Sequence, residues 1–412
     1  MKKLITLLTA LAVVTAVSAE INPPHRYIEF GSDFDVSVSN NYVTVPDVMV
    51  KDLVIDLNKI AEEMPDNGFD LNMALNGTSF VNINLKKIRL GFSTGFESYG
   101  YGNISKELFE LIGEGNSLSD EPQTVDATAV ADVFAVTSAS VGMKFGKLRL
   151  KVTPSIVSPL VYAEADDAKV EYETAADGSI RAVASSKINI YTAAGIQDLI
   201  ENDSGSYEYT VSSEDIWKGS GIDLAAEAEY PILDDLDVGV FTRVPIIPGR
   251  LHSKATTTAS FSYETDGILD AVSSDTTDSL DDYTYDTSDW SYSDTTYYIN
   301  RPLRLGTQAA YRPFGSWFTL FGMGGVGIRY PFSDNYAVYP EYTAGLGLSL
   351  FGALGVDVSS AYLNQIFIHK IGVMLNVRVL EIDAALSLQG SDFVNSFSMS
   401  GIGAAVGVRF GF

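Results

Sequence analysis

Apolar residues alternate with small or polar residues along Ile402–Phe412, at the end of the chain. Ile402, Val406 and Phe410 share one face, whereas glycines and Arg409 share the other. This period of two predicts a β-strand with one apolar face. The strand ends on an aromatic residue without a polar tail, which is typical of a strand whose apolar face contacts lipid and whose aromatic end lies at the membrane interface.

The same alternation recurs in segments of about ten residues, the strand length that spans a bilayer. Segments beginning near Ile222, Leu236 and Leu303 are followed by five more between Trp317 and Gln389. Short turns such as Pro313–Gly315 connect several of them, which predicts an antiparallel meander. A soluble β-sandwich also alternates. The number of consecutive two-sided strands favours an all-β, transmembrane antiparallel β-barrel.

The polar faces of these strands carry charges of both signs, and alternation predicts that they face the lumen. Both a water-filled channel and a plugged lumen held by ion pairs fit this pattern. Gly345 and Gly407 are expected to leave room inside the barrel. The predicted lumen-facing residues are Arg304, Arg312, Arg329, Arg378, Arg409, Asp223, Glu227, Glu229 and Asp383, with Arg149, Lys151 and Asp237 on the same faces.

The N-terminal part of the chain has helical patterns. Val50–Met64 places apolar residues at helical spacing between acidic ones, and Ile104–Ile112 predicts a second short helix with Ser105 as N-cap and Gly113 as its stop. Helices do not form the wall of a barrel. We therefore expect residues 20–64 to be a hatch or plug and residues 65–412 to be the barrel, with the hatch either inside the lumen or capping it.

Export is predicted by residues 1–19, where two lysines precede an apolar stretch and a small-residue cleavage site. No later apolar run reaches 18 residues, which argues against helical membrane spans. The 22 Tyr, 21 Phe and 35 Gly suit many strands with aromatic girdles. A net charge of −26 argues against nucleic acid as a partner.

Catalytic and metal-binding chemistry has little support. There are no cysteines, and the three histidines belong to no visible nucleophile–base grouping, so we expect neither an enzyme nor a cofactor. Ser262–Tyr298 is rich in Ser, Thr, Asp and Tyr, which predicts a long hydrated hairpin loop with extended strand flanks. Asp266, Asp281, Asp282 and Asp286 there match no calcium-loop spacing, so no metal site is expected.

Two resemblances to known families follow from these residues. The closing strand, with Val408, Phe410 and Phe412, resembles the C-terminal signal that barrel-insertion machinery recognises in bacterial outer-membrane barrels. The segments GYGNISKELFELIGEGN (100–116) and RVPIIPGRL (243–251) resemble uncharacterised FadL-like families, the long-chain fatty-acid transporter barrels. The FadL-like resemblance implies 14 strands, an N-terminal hatch and a lateral opening in the wall. No binding residue could be carried over.

The expected function is passive uptake of small hydrophobic molecules, such as long-chain fatty acids, across the outer membrane of a Gram-negative-type bacterium. Outer-membrane lipid, the insertion machinery and a hydrophobic ligand are the expected partners. A general porin for polar solutes is one alternative, favoured by the charges of both signs in the lumen. A surface-exposed adhesin or structural barrel that presents the acidic stretch is another.

Overall fold

The computed structural model describes residues 26–44, 46, 56–114, 119–174, 179–193, 213–265, 281–332 and 336–412. The predicted signal peptide, residues 1–19, lies outside the described residues. Asp266 and the first part of the predicted helix Val50–Met64 also lie outside them.

Antiparallel strands dominate the described residues and form one sheet of 18 strands. They are β1 (Ile28–Asn40), β2 (Phe69–Asn84), β3 (Ile88–Ile104), β4 (Ser119–Phe145), β5 (Leu148–Thr174), β6 (Ile180–Thr192), β7 (Gly221–Pro231), β8 (Leu236–Ile247), β9 (Gly249–Thr265), β10 (Asp281–Thr287), β11 (Ser291–Ile299), β12 (Leu303–Tyr311), β13 (Phe318–Arg329), β14 (Ala337–Leu350), β15 (Leu354–Leu363), β16 (Ile366–Val377), β17 (Leu380–Gly390) and β18 (Gly401–Gly411).

The sheet closes on itself because the first strand pairs with the last. β1 pairs with β18 from Glu29↔Gly411 to Ser39↔Gly401, and its other edge pairs with β2. Within the described residues the closed circuit runs through β1–β5, β7, β8 and β12–β18. The remaining strands, β6 and β9–β11, leave this circuit as a branch. Within the described residues the sheet therefore has 18 strands, of which 14 form the closed circuit and four form the branch.

The branch arises because β5 has two successive partners along one edge. Its first part, 149–157, pairs with β7, and its second part, 161–174, pairs with β6. β6 then pairs with β9, which pairs with β10 and β11. At roughly 3.3 Å per residue, the 27 residues of β5 far exceed an apolar band about 25 Å tall. Its second part thus extends beyond the band, and we call this extension with β6 and β9–β11 the outer sheet.

The strand flanks predicted for the stretch Ser262–Tyr298 make up most of its described part. Its described residues form the end of β9, all of β10 and most of β11. Thr and Tyr have high strand propensity, and here their backbones pair with those of β9 in the outer sheet.

Helices occupy connections between strands: α1 (Leu57–Glu63), α2 (Lys106–Glu114), α3 (Ser213–Lys218) and a 3₁₀ turn, Asn395–Ser398. Asp56 caps α1 by accepting a hydrogen bond from the backbone N–H of Lys59. α2 continues through Gly113, so this glycine does not end the helix as predicted. None of the described helices has the length and apolar character needed to cross a bilayer.

The predicted N-terminal hatch over 20–64 does not match the described residues. Ile28–Asn40 is wall strand β1, hydrogen-bonded on both edges. α1 lies between β1 and β2 and packs against α2, which lies between β3 and β4. Among the described residues, the lining of the barrel cavity includes none from either helix. The described helices α1 and α2 are therefore connections between wall strands and do not line the cavity.

The outer face of the wall is apolar and exposed. Ile402, Val406 and Phe410 of β18 are each more than 40% exposed, and Leu386 of the neighbouring β17 is 66% exposed. Their strand neighbours with the opposite orientation are small or charged. An apolar surface that surrounds a closed barrel requires lipid as its solvent.

The two ends of the barrel differ in their connections. At one end, which we call the short-turn end, the connections are brief: 85–87 between β2 and β3, 146–147 between β4 and β5, and 378–379 between β16 and β17. β1 begins and β18 ends there. Aromatic residues mark this end, including Phe314, Trp317 and the terminal Phe412. Outer-membrane barrels have short periplasmic turns and longer extracellular connections.

Ion pairs across β1, β17 and β18 hold the point of closure. Arg409 of β18 lies 2.8 Å from Glu381 of β17 and 3.4 Å from Asp33 of β1. Arg26 approaches the same Glu381 at 3.4 Å. On the lipid side, Phe30 of β1 stacks on Phe410 at a centroid distance of 5.8 Å. Both faces of the closure thus carry cross-strand contacts.

Replacing Arg409 with Ala should lower the free energy of unfolding by about 2 kcal/mol, because the buried Glu381 loses one of its two cationic partners. Denaturant unfolding of the detergent-solubilised protein measures this change. Arg181→Ala, a change in the outer sheet, is the control and should leave the midpoint of the barrel transition within error. Equal midpoints for the two variants would contradict the stabilising role of Arg409.

Candidate functional site

A cavity of about 960 Å³ lies inside the barrel. Residues such as Arg149, Glu227 and Gln308, which line it, belong to the strand faces opposite the exposed apolar residues. The cavity extends from the turn residues Leu85–Lys87 at the short-turn end to the level of Arg301. It is therefore the lumen of the barrel, reached from the short-turn end.

Most of the predicted lumen-facing residues lie in or beside this cavity. Arg304, Arg312, Arg329, Glu227 and Glu229 line it, as do Arg149, Lys151 and Asp237. These side chains are largely paired: Arg149 with Glu229 (3.1 Å) and Asp237 (3.0 Å), Lys151 with Glu227 (3.0 Å), and Arg312 with Asp237 (2.8 Å).

The other predicted residues take different positions. Asp223 is almost fully buried and pairs with Arg301. Arg409 and Asp383 belong to the closure network at a distance of 3.8 Å. Arg378 lies in the β16–β17 turn at a φ of 65°, where it is exposed. The prediction that Arg378 faces the lumen was wrong, because it continued the alternation of β16 beyond the last residue of that strand, Val377.

The outer end of the lumen is filled by the start of β9 and the end of β11. Leu251 of β9 is fully buried and Ile299 of β11 is 3% exposed. They belong to one apolar cluster with Phe134 of β4 and Val157 of β5, which lie on the lumen face of the wall. The start of β9 and the end of β11 therefore lie inside the barrel and close the end of the lumen that faces the outer sheet.

Three tyrosines reinforce this closure. Tyr297 of β11 stacks on Tyr191 of β6 at 4.3 Å and on Tyr162 of β5 at 5.0 Å between ring centroids. The hydroxyl of Tyr162 donates to Glu164 at 3.1 Å, and that of Tyr191 donates to the same carboxylate at 3.4 Å. The stacked rings bury apolar area while their polar ends remain bonded.

Below the cluster, residues 300–302 cross the lumen without strand pairing; we call them the crossing segment. Arg301 donates to both carboxylate oxygens of Glu97 on β3, at 2.7 and 3.0 Å. It also donates to Asp223 on β7 at 3.2 Å. β3 and β7 are separated by β4 and β5 in the wall. Arg301 therefore ties the crossing segment to two wall strands that are not neighbours, and we call Arg301, Glu97 and Asp223 the lumen latch.

Three further arginines lie near the crossing segment, and one of them bonds to it directly. Arg243 of β8 donates through Nε and Nη2 to the carbonyl of Pro302, at 3.2 and 3.1 Å. Arg304 pairs with the buried Glu341 of β14 at 3.0 Å and donates to Asn364 at 2.9 Å. Arg329 lies over the ring of Tyr99, 4.6 Å from its centroid. The part of the lumen next to the outer closure thus contains charged side chains that have polar or aromatic partners.

One side of the cavity is apolar. Phe241 of β8, Phe321 of β13 and Met323 of β13 line it together with Ala310 of β12. Each phenylalanine lies over a glycine directly opposite on the neighbouring strand, Phe241 over Gly306 and Phe321 over Gly345. A Cβ at either glycine would collide with the ring. Covering a glycine with an aromatic ring is a known way to stabilise a sheet.

The glycines therefore do not leave empty space as expected. Gly345 is covered by Phe321, and Gly407 faces the carboxylates of Asp383 and Asp33. Gly31 and Gly327 are likewise covered, by Phe80 and Tyr339 on the opposite strands. Small residues in the wall thus accommodate side chains of neighbouring strands.

Sequence reasoning missed the lumen latch and the apolar side of the cavity. Arg301 had one signal, since it is the first basic residue after a long basic-free stretch that follows Lys254. Glu97 and Phe321 both lie on the lumen face by alternation, but the period of two does not say which residues meet across the lumen. In the described part of the chain, no three His, Asp or Glu residues come together as a metal site.

Comparison with protein families decides the membership of this chain. A family model described as a family of unknown function (DUF5723) matches residues 22–242, more than half of the chain. The chain belongs to the DUF5723 family. The match runs from before β1 into β8 and includes Glu97 and Asp223, two members of the lumen latch of this DUF5723 protein. A search of the curated proteins found no match.

Solved structures similar to this DUF5723 chain include two described as toluene transporters and one described as a FadL homologue. The Pseudomonas putida toluene transporter TodX has a TM-score of 0.46 and 9% identity, covering 95% of this chain and 91% of that one. The Ralstonia pickettii toluene transporter TbuX has a TM-score of 0.44 and 10% identity, covering 94% and 90%. A Pseudomonas aeruginosa FadL homologue has a TM-score of 0.43 and 10% identity, covering 94% and 91%.

Replacing Arg301 with Ala should open the lumen, because Glu97 and Asp223 lose the side chain that links them across it. In planar bilayers the variant should show single-channel conductance at least several-fold above that of the wild-type protein. Arg250→Ala is the matched control, since Arg250 donates only to the carbonyl of Lys218 among described side-chain contacts. If R301A and R250A conduct alike, the latch does not control passage.

Proposed function

We propose that this protein is an outer-membrane channel that admits small hydrophobic molecules through a lumen closed at its outer end by the returning branch. One observation carries the proposal: a barrel with an apolar outer surface encloses a cavity that has an apolar side and is blocked by β9, β11 and the crossing segment. Long-chain fatty acids belong to the substrates that the FadL-like resemblance implies.

The apolar side of the cavity supports a hydrophobic ligand. Phe241, Phe321 and Met323 offer a continuous surface on β8 and β13, next to Ala310 of β12. A ligand of a few rings or methylene groups gains roughly 25 cal/mol for each Å² of apolar surface that it buries. A volume of about 960 Å³ is within the range of small-molecule sites.

The closed outer end supports controlled passage rather than steady flow. Polar solutes would have to pass the apolar cluster of Leu251 and Ile299 and then the lumen latch. An apolar molecule can instead exchange contacts with that cluster as it enters, and the charged pairs of the latch would separate only during passage.

A general porin for polar solutes is the second candidate, since the lumen carries many charges of both signs. The two functions differ in what passes without any change of conformation. A porin admits small sugars at once, whereas a closed channel for hydrophobic molecules excludes them.

Uptake of the neutral dye N-phenyl-1-naphthylamine into intact cells tests the proposal, because the outer membrane slows such compounds. Cells that produce the wild-type protein should take up the dye several-fold faster than cells without it. The double variant Phe321→Asn, Met323→Asn should lose most of this gain, because it makes the cavity wall polar. Phe314→Asn, in an exposed turn, is the control and should retain it.

Swelling of proteoliposomes in small sugars is the companion measurement. We expect no swelling above protein-free liposomes for the wild-type protein. Rapid swelling together with dye uptake equal to that of cells without the protein would replace the hydrophobic channel with the porin.

A further inference from the structure

The charge of the cavity is opposite to that of the chain. Within the described residues, its lining includes twelve Lys or Arg side chains but only seven Asp or Glu side chains. The whole chain has 27 basic and 53 acidic residues. Nearly half of all basic residues thus line one cavity in a strongly acidic protein, so the excess of positive charge there is not a consequence of composition.

The excess is concentrated at the short-turn end. Two hairpins, β2–β3 and β4–β5, present basic residues into or beside the cavity mouth without an acidic residue in either turn region. We call this group the basic mouth; its members are Lys86, Lys87, Arg89, Lys144, Arg149 and Lys151.

The members of the basic mouth are held close together. The backbone N–H of Lys144 donates to the carbonyl of Lys87 at 3.0 Å, which joins the two hairpins. Lys144 lies directly opposite Arg149 in the β4–β5 pairing. Like charges directly opposite each other destabilise a sheet. Stability of the wall alone would favour an acidic or neutral residue at one of these positions.

Acidic neighbours do not neutralise the whole mouth. Arg149 and Lys151 pair with Glu229 and Glu227 across β5 and β7. Lys86, Lys87 and Lys144 have no carboxylate within salt-bridge distance in the described part of the chain. These three ammonium groups are exposed at the entrance of a cavity. A cleft with walls of low dielectric constant focuses such a field and concentrates ions of opposite sign.

We propose that the basic mouth is a binding and selection site for small anions of the sulfonate, carboxylate or phosphate class. These anions enter the lumen from the short-turn end. This goes beyond the proposed function, because it concerns which dissolved molecules reach the cavity from that end, whatever passes the outer closure. Anions are concentrated in the cavity and cations are repelled from it.

Thiol accessibility tests the proposal, since the chain has no cysteine. Ala310→Cys places a single thiol on the cavity wall. Its reaction rates are measured with two methanethiosulfonate reagents of similar size, one ending in a sulfonate and one in trimethylammonium. Each rate is divided by the rate of the same reagent with a free small thiol. The corrected sulfonate rate should exceed the trimethylammonium rate about tenfold at low salt.

Matched charge variants locate the effect. In the Ala310→Cys background, Lys86→Gln, Lys87→Gln and Lys144→Gln together should bring the corrected rate ratio close to one. Lys59→Gln, Lys187→Gln and Lys218→Gln change the net charge equally but lie away from the mouth, so the ratio should remain. Raising the salt to ~1 M, where the Debye length is about 3 Å, should reduce the ratio in the unmodified background.

Three results would overturn the proposal: a corrected ratio near one in the unmodified background, equal effects of the two triple variants, or no reaction with either reagent. The last would mean that the cavity is not reached from the short-turn end. Thr343→Cys, also on the cavity wall, serves as a second position if Ala310→Cys does not fold into a heat-modifiable barrel. The test does not depend on dye uptake, so a failure of this proposal can be distinguished from a failure of the proposed function.

Discussion

The pairing of β1 with β18 is the constraint on which the rest of the structure depends. A strand with a free edge in lipid would leave its N–H and C=O groups unbonded, and each such group costs several kcal/mol. Pairing from Glu29↔Gly411 to Ser39↔Gly401 removes both free edges at once. This commits Ile28–Asn40 to the wall, so these residues cannot also serve as the plug of the lumen.

The lumen is closed instead by a segment from the middle of the chain. Residues 161–174 of β5 lie beyond the residues that pair with β7, so their edge is available to β6. The branch through β9 and β11 follows from this second pairing. The chain has to return from this branch to pair β12 with β8. Its return path leads through the barrel, where Ile299 packs against the wall and Arg301 reaches Glu97. The closure of the outer end is thus a consequence of how the branch rejoins the ring.

The sequence pattern predicts which face of a strand each side chain occupies much better than it predicts which distant strands are in contact. Alternation was sufficient to predict the wall strands from β12 to β18 and the side on which Arg304, Arg312 and Arg329 lie, because successive side chains of a strand point to opposite faces of the sheet. The contact between Arg301 and Glu97 joins residues 204 positions apart and follows from no local pattern. The branch was missed for a related reason: a period of two indicates a strand but not its neighbour. Arg378 was misplaced because the pattern was continued into a turn.

The distribution of charge distinguishes two parts of the same lumen. Near the outer closure, Arg301 and Arg304 each have a carboxylate partner, as buried or partly buried charges require. At the short-turn end, Lys86, Lys87 and Lys144 lack a carboxylate partner. Their exposure to water keeps the free-energy cost of these unpaired charges low. Paired charges hold the crossing segment in place and contribute little net field. Unpaired charges contribute the field but no cross-links. A barrel that is held closed at one end and attracts ions at the other needs both arrangements, and the strand faces place them at different heights of one cavity.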